Sequence, residues 1–158
     1  MSKSDGKQND PIMQWVTFRL GEEKYGINVM QVQEVLRVSE IAPVPGAPSY
    51  VLGIINLRGN VVTVIDTRNR FGLMSKDLDD ATRIVIIETD QHIIGIMVDS
   101  VAEVVDLRAS EIETAPNVGN DESSKYIQGV TSRDNELLIL VDLNKFLSDE
   151  ENEELDMF

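Results

Sequence analysis

Slid against itself, the chain repeats in order, and a duplicated sequence is expected to fold into two related units. Gly26-Ile27-Asn28-Val29-Met30-Gln31-Val32-Gln33-Glu34-Val35 aligns without gaps on Gly95-Ile96-Met97-Val98-Asp99-Ser100-Val101-Ala102-Glu103-Val104, with six of ten positions identical. Further along, 50–66 aligns on 126–142, matching Tyr50 with Tyr126, Gly53 with Gly129 and Asp66 with Asp142. The second copy carries seven more residues between its blocks, which places the extra length in the polar stretch 115–124. Each half is about sixty residues, near the lower size that sustains its own core, so the two are expected to share apolar surface.

Short runs rich in Val and Ile recur at 16–20, 25–29, 54–57, 61–65, 84–87, 93–98 and 137–141. Runs of this length bounded by Gly, Asn, Asp and Pro read as strands. Gly21-Glu22-Glu23, Arg58-Gly59-Asn60, Asp90-Gln91-His92 and Arg133-Asp134-Asn135-Glu136 each sit between two runs and carry hairpin-turn chemistry. Pro43, Pro45 and Pro48 cannot donate to a ladder, so 43–48 is a connection or an edge. The expected fold is all-β, with about five short strands per half curled into a small closed or nearly closed barrel, because closure removes exposed edges. After Val29 the apolar spacing fits either one helical turn or a bulged strand. Short helical turns are expected at 66–71 and 142–147. The domain plan is a flexible segment 1–13, one body over 14–147 with lobes at about 15–71 and 84–147, and an acidic tail or helix over 148–158.

Composition removes several function classes. A formal charge of -14 repels phosphate backbones and anionic lipid, so no nucleic-acid partner is expected. No stretch approaches 18 consecutive apolar residues, so no membrane insertion is expected, and the absence of cysteine fits the cytoplasm. The catalytic inventory is thin. The single histidine, His92, falls in a predicted hairpin and reads as an exposed turn residue. Asp66 and Asp142 form a repeat-related pair that a hydrolase could use, although strand-end aspartates more commonly cap the turn that follows. No glycine-rich phosphate cradle and no calcium-loop pattern is present.

What remains is apolar and paired. Glu34 and Glu103 recur at equivalent positions among apolar neighbours, whereas Arg58 stands at a hairpin tip where its repeat partner is Asp134. Duplication therefore does not account for Arg58. An arginine there can fork onto a carboxylate or a partner carbonyl, or simply solubilise a turn.

The segments Glu23-Lys24-Tyr25-Gly26-Ile27, Val32-Gln33-Glu34-Val35, Pro45-Gly46-Ala47-Pro48, Gly53-Ile54-Ile55-Asn56-Leu57-Arg58-Gly59 and Asp66, in this order and spacing, resemble the CheW-type chemotaxis coupling proteins from about Gln14 to Leu147. The resemblance implies two packed five-stranded SH3-like barrels and a scaffold with no catalytic residues, cofactor or metal. Its partners would be the cytoplasmic tip of chemoreceptors and the regulatory domain of the CheA histidine kinase. It further implies that Val29, Val32 and Val101 line a groove between the barrels that receives the receptor's helical hairpin, ordinary core being their other reading. Glu34 and Arg58 match positions important for coupling, and Ile41 and Val44 are expected at the kinase contact. CheW-like lobes of adaptor and kinase could alternate into rings, placing a cytoplasmic protein in membrane receptor arrays.

The chain departs from that pattern at Thr63, where a proline is usual, and at Asp66-Thr67-Arg68, where Asp-Leu-Arg is usual. Thr63 restores a backbone donor on what is expected to be an edge. The alternatives are an adaptor of another chemosensory pathway, serving surface motility or gene regulation, and a hydrolase built on Asp66 and Asp142.

Overall fold

The computed structural model describes residues 10–114, 126–145 and 147–156. The expected strands are all present, in β1 (Ile12–Leu20), β2 (Glu23–Asn28), β4 (Val51–Leu57), β5 (Asn60–Asp66), β6 (Arg83–Glu88), β7 (Ile93–Val98) and β10 (Glu136–Val141). Three more, β3 (Val32–Arg37), β8 (Ser100–Arg108) and β9 (Ile127–Arg133), complete the set of ten. Each of the four expected turns joins an antiparallel hairpin. After Val29 both alternatives occur in sequence: a 3-10 turn Val29–Gln31, then β3 with a register shift between Val32 and Glu34. The short helix α1 (Thr67–Arg70) follows β5, a 3-10 turn Leu143–Lys145 follows β10, and the acidic end forms helix α2 (Asp149–Asp156). The extra loop at 115–124 lies outside the described residues.

The strands form two five-stranded sheets, ordered β8-β1-β2-β10-β9 and β3-β6-β7-β5-β4. All pairings are antiparallel except β2 with β10 and β5 with β7. Replacing each strand of one sheet by its repeat equivalent, β1 by β6 through β5 by β10, reproduces the order of the other. The duplication is thus real in space, but the lobes are not the sequence halves 15–71 and 84–147. β3–β5 of the first half join β6 and β7 of the second, and β8–β10 join β1 and β2. The connections are responsible. Only Asp99 separates β7 from β8, too little chain for a hairpin, so the strand runs on into the other sheet. The 3-10 turn at Val29–Gln31 makes the equivalent crossing from β2 to β3.

Neither sheet closes into a barrel by a continuous ladder. Among the described residues each seam carries one isolated bridge, Ala42 with Ile54 and Glu113 with Val130, so closure is SH3-like but minimal. Gly53 and Gly129, at equivalent positions, allow the crossing backbone close approach. Thr63 is not at an edge: β5 lies between β7 and β4, and Thr63 pairs with both Ile94 and Ile54. Its backbone donor therefore suits an interior strand, where proline would interrupt the ladder.

Three apolar clusters fill the molecule. Trp15, Val105, Leu107, Leu138 and Leu140 lie within the first sheet, and Ile55, Val62, Val64, Ile84 and Ile86 within the second. The largest lies between the sheets and includes Phe18, Ile27, Ile65, Ile87, Ile96 and Val141. Helix α2 seals one side of it with Leu155. A capping box starts that helix: Ser148 N–H donates to Glu151 at 2.8 Å, and Glu151 N–H to Ser148 Oγ at 3.1 Å. His92 is half-buried rather than exposed, with Nε2 3.1 Å from the Asn152 carbonyl, because α2 packs back over its hairpin.

Candidate docking site

The two chain crossings bring most of the expected receptor-facing residues to the junction between lobes. Val29 begins the first crossing, and Val32 and Val101, repeat equivalents, open the strands that leave each crossing. Val32 and Val101 are partly buried and pack against the central cluster, while Val29 is half-buried. The space between the sheets is filled by the molecule's own side chains, so the expected groove is not an open slot. These valines instead close over the core and leave part of each side chain at the surface.

Glu34 and Arg58 are brought together although β3 and β4 stand at opposite edges of their sheet. The sheet curls until the guanidinium forks onto the carboxylate, with Nη1 3.2 Å from Oε1 and Nη2 in close contact with Oε2. The pair clasps the seam beside the Ala42–Ile54 bridge. Arg58 holds the Glu34 carboxyl below its ordinary range through this hydrogen bond, and Glu34 raises the guanidinium in return. Arg58 sits at φ 51, as its repeat equivalent Asp134 does at φ 53. That conformation favours Gly or Asn, so an arginine there is held for its side chain. The Asn56 Oδ1 accepts from Gly59 N–H at 2.8 Å and fixes the tip. The side chain of Arg58 is 70% exposed and that of Glu34 28%, so the clasp is available to a partner.

Ile41 and Val44 lie on the connection that forms this seam. They line two adjoining hollows that share Ile54 and Val61, and Ile93 extends the patch from β7. Ile41 also packs on the core of the second sheet, so this connection is both seam and surface.

Asp66 and Asp142 act as caps: Asp66 Oδ1 accepts from Asn69 N–H at 3.1 Å, and Asp142 Oδ1 from Asn144 N–H at 3.0 Å. A cluster that sequence reasoning missed sits under α2. The Arg70 guanidinium lies over the Tyr50 ring at 5.2 Å and the Tyr126 ring at 5.7 Å, donates to Tyr126 Oη at 2.6 Å, and pairs with Glu151 at 2.6 Å. Burial, with Glu154 and Glu151 nearby, pushes the Tyr50 hydroxyl up, which keeps it a neutral donor to Glu154. The repeat match of Tyr50 with Tyr126 was the available signal.

Two pseudo-symmetric sheets, Asp66 and Asp142 committed to caps, and exposed apolar patches beside a charged clasp define a β-rich binding module. The chain belongs to the CheW-like domain family, which matches residues 14–151. It is 35% identical to the chemotaxis protein CheW of Treponema pallidum, covering 93% of this chain and 89% of that one. It is 34% identical to the chemotaxis protein CheW of Klebsiella aerogenes, covering 87% and 83%. The crystal structure of the scaffolding protein TtCheW from Thermoanaerobacter tengcongensis superposes with a TM-score of 0.81 at 31% identity, covering 89% of this chain and 97% of that one. Among the described residues no helix is long and apolar enough to cross a membrane.

Proposed function

We propose that this chain is a non-enzymatic scaffold that couples chemoreceptors to the CheA histidine kinase in bacterial chemotaxis. Family membership supports the reading, and so does the geometry: a charged clasp and an apolar patch around Ile41 and Val44 both reach the surface of one body. The receptor's helical tip docks at the junction between lobes, where Val29, Val32 and Val101 offer apolar contact and Glu34 and Arg58 form a polar rim. The kinase's regulatory domain docks on the patch around Ile41 and Val44. Holding both partners in fixed geometry raises their effective concentration without chemistry in the adaptor. Repetition of such contacts through CheW-like lobes builds rings that place the protein in membrane receptor arrays.

The single observation that carries this reading is the Arg58–Glu34 clasp, a surface ion pair formed by the lobe asymmetry that duplication does not require. The test is a pull-down with purified receptor tips and kinase, separately and together. Arg58→Glu is expected to leave the fold intact while weakening receptor-dependent kinase control. Val32→Asp is expected to reduce receptor binding more than kinase binding. Unchanged receptor-dependent kinase activity in Arg58→Glu would refute the assignment, and equal loss of both partners with a lowered melting point would make Val32 core.

A further inference from the structure

The two crossings between lobes are equivalent in sequence but not in chemistry. At the second, Asp99 is consumed internally: it accepts from Gly21 N–H at 2.7 Å and from Arg68 at 2.8 and 2.5 Å. At the first, the equivalent position is Met30, 85% exposed. Its backbone N–H donates to Asn28 Oδ1 at 2.9 Å, which holds the 3-10 turn and presents the thioether on a fixed base between Val29 and Val32. An unbranched, polarisable side chain in that place suits the apolar stripe of a helix. The chain has no cysteine, so its six methionines are its only sulfur chemistry. Among the described methionines, Met74 matches Met30 at 85% exposure and lies on the loop after α1, whereas Met13 and Met97 are better shielded.

We propose that Met30 is a modification site, at which a peroxide oxidises the thioether to the sulfoxide and thereby releases the receptor helix; this rests on the receptor-docking reading above. The sulfur lone pair attacks one peroxide oxygen, the O–O bond breaks as an S–O bond forms, and the proton on the sulfur-bound oxygen passes to the departing hydroxide, which leaves as water. Sulfur loses two electrons and peroxide gains them. The product is a polar acceptor facing an apolar helix stripe that offers it no donor. The surrounding fold is untouched because Met30 contributes to no apolar cluster.

The experiment treats the full chain with hydrogen peroxide, removes the oxidant with catalase, maps sulfoxides by peptide mass, and measures affinity for an untreated receptor tip. Oxidation of the wild type is expected to weaken binding about tenfold, the scale of losing one interface anchor. Met30→Leu is expected to bind receptor before treatment and to lose none of that affinity after it. Met74→Leu is expected to remain as sensitive as wild type. Met30→Gln is expected to bind weakly without oxidant while melting as wild type does. Equal sensitivity of Met30→Leu and wild type, or full sulfoxide at Met30 with unchanged affinity, would overturn the proposal alone. No binding by the untreated wild type would overturn the receptor reading and this proposal with it.

Discussion

Replacing Gly53 by alanine tests whether the seam of the second sheet depends on backbone contact. A Cβ built there overlaps the Ala42 carbonyl oxygen and comes within 2.8 Å of Ile41 Cγ2. The carbonyl belongs to main chain and has no flexible end to swing away, so the crossing segment must lift. Lifting breaks two hydrogen bonds, Ala42 N–H to Ile54 O and Ile54 N–H to Ala42 O, both 2.9 Å. Each contributes about 0.5–1.5 kcal/mol net. Drawing Ile41 off the cluster beneath it adds about 1 kcal/mol of lost burial. The sum, about 3 kcal/mol, corresponds to a fall in melting temperature of about 10 °C for a chain of this size. Gly59→Ala is the control: its φ is +88 but nothing lies within 4 Å of the added carbon, so only the conformational cost of about 1 kcal/mol remains. Gly129→Ala should fall between them, because its nearest obstacle is the Ile112 side chain at 2.6 Å, with the Glu113 carbonyl at 3.0 Å. Thermal melts rank the three, and hydrogen exchange at the Ala42 and Ile54 amides locates the damage. A Gly53→Ala protein that melts within 2 °C of wild type, on the scale used above, or that keeps both amides protected, would refute the reasoning.

Two further outcomes follow from the ion pairs and the last helix. Arg68, helped by Gly21 N–H, holds the Asp99 carboxyl below its ordinary range, so its stabilisation is complete above the ordinary carboxylate value and is lost as pH falls through the lower folded one. Asp99→Asn should flatten the acid limb of the stability curve below about pH 4, visible in denaturant titrations at stepped pH. Leu155→Ala should cost about 2–3 kcal/mol by removing a buried side chain from the central cluster, and should release exchange protection across α2 before the rest of the fold.

Much of this architecture was legible because strands and turns are local. Runs such as 84–87 and 93–98, with turn residues between them, specify a hairpin whatever surrounds it. Strand β3 was legible only as a bulged-strand alternative, and β8 and β9 were not singled out, because these strands mix apolar residues with exposed Glu, Gln, Asp and Arg, which dilutes the apolar signal. Assignment of strands to lobes was beyond reach for a different reason. Because β2 and β7 share the Gly-Ile core of the repeat, Gly26-Ile27 and Gly95-Ile96, pairing β2 with β5 or with β10 satisfies the same local pattern, and only the short connections at Val29–Gln31 and Asp99 decide. The Glu34–Arg58 pair was within reach because Glu34 recurs in the repeat among apolar neighbours while Arg58 departs from it, leaving two opposite charges to explain. Arg70 did not stand out, since its partners come from two distant loops and the terminal helix.

Because the backbone threads twice from one sheet to the other, the lobes are not beads on a string. Sheet two is one continuous stretch nested between the two parts of sheet one, whose strands come from both ends of the chain. A push delivered at one surface is carried to the other through covalent bonds rather than through a face that can slide. A part set between two larger machines would thereby transmit torque as a stiff rivet, and trimming either end would loosen sheet one first, since both ends supply its strands.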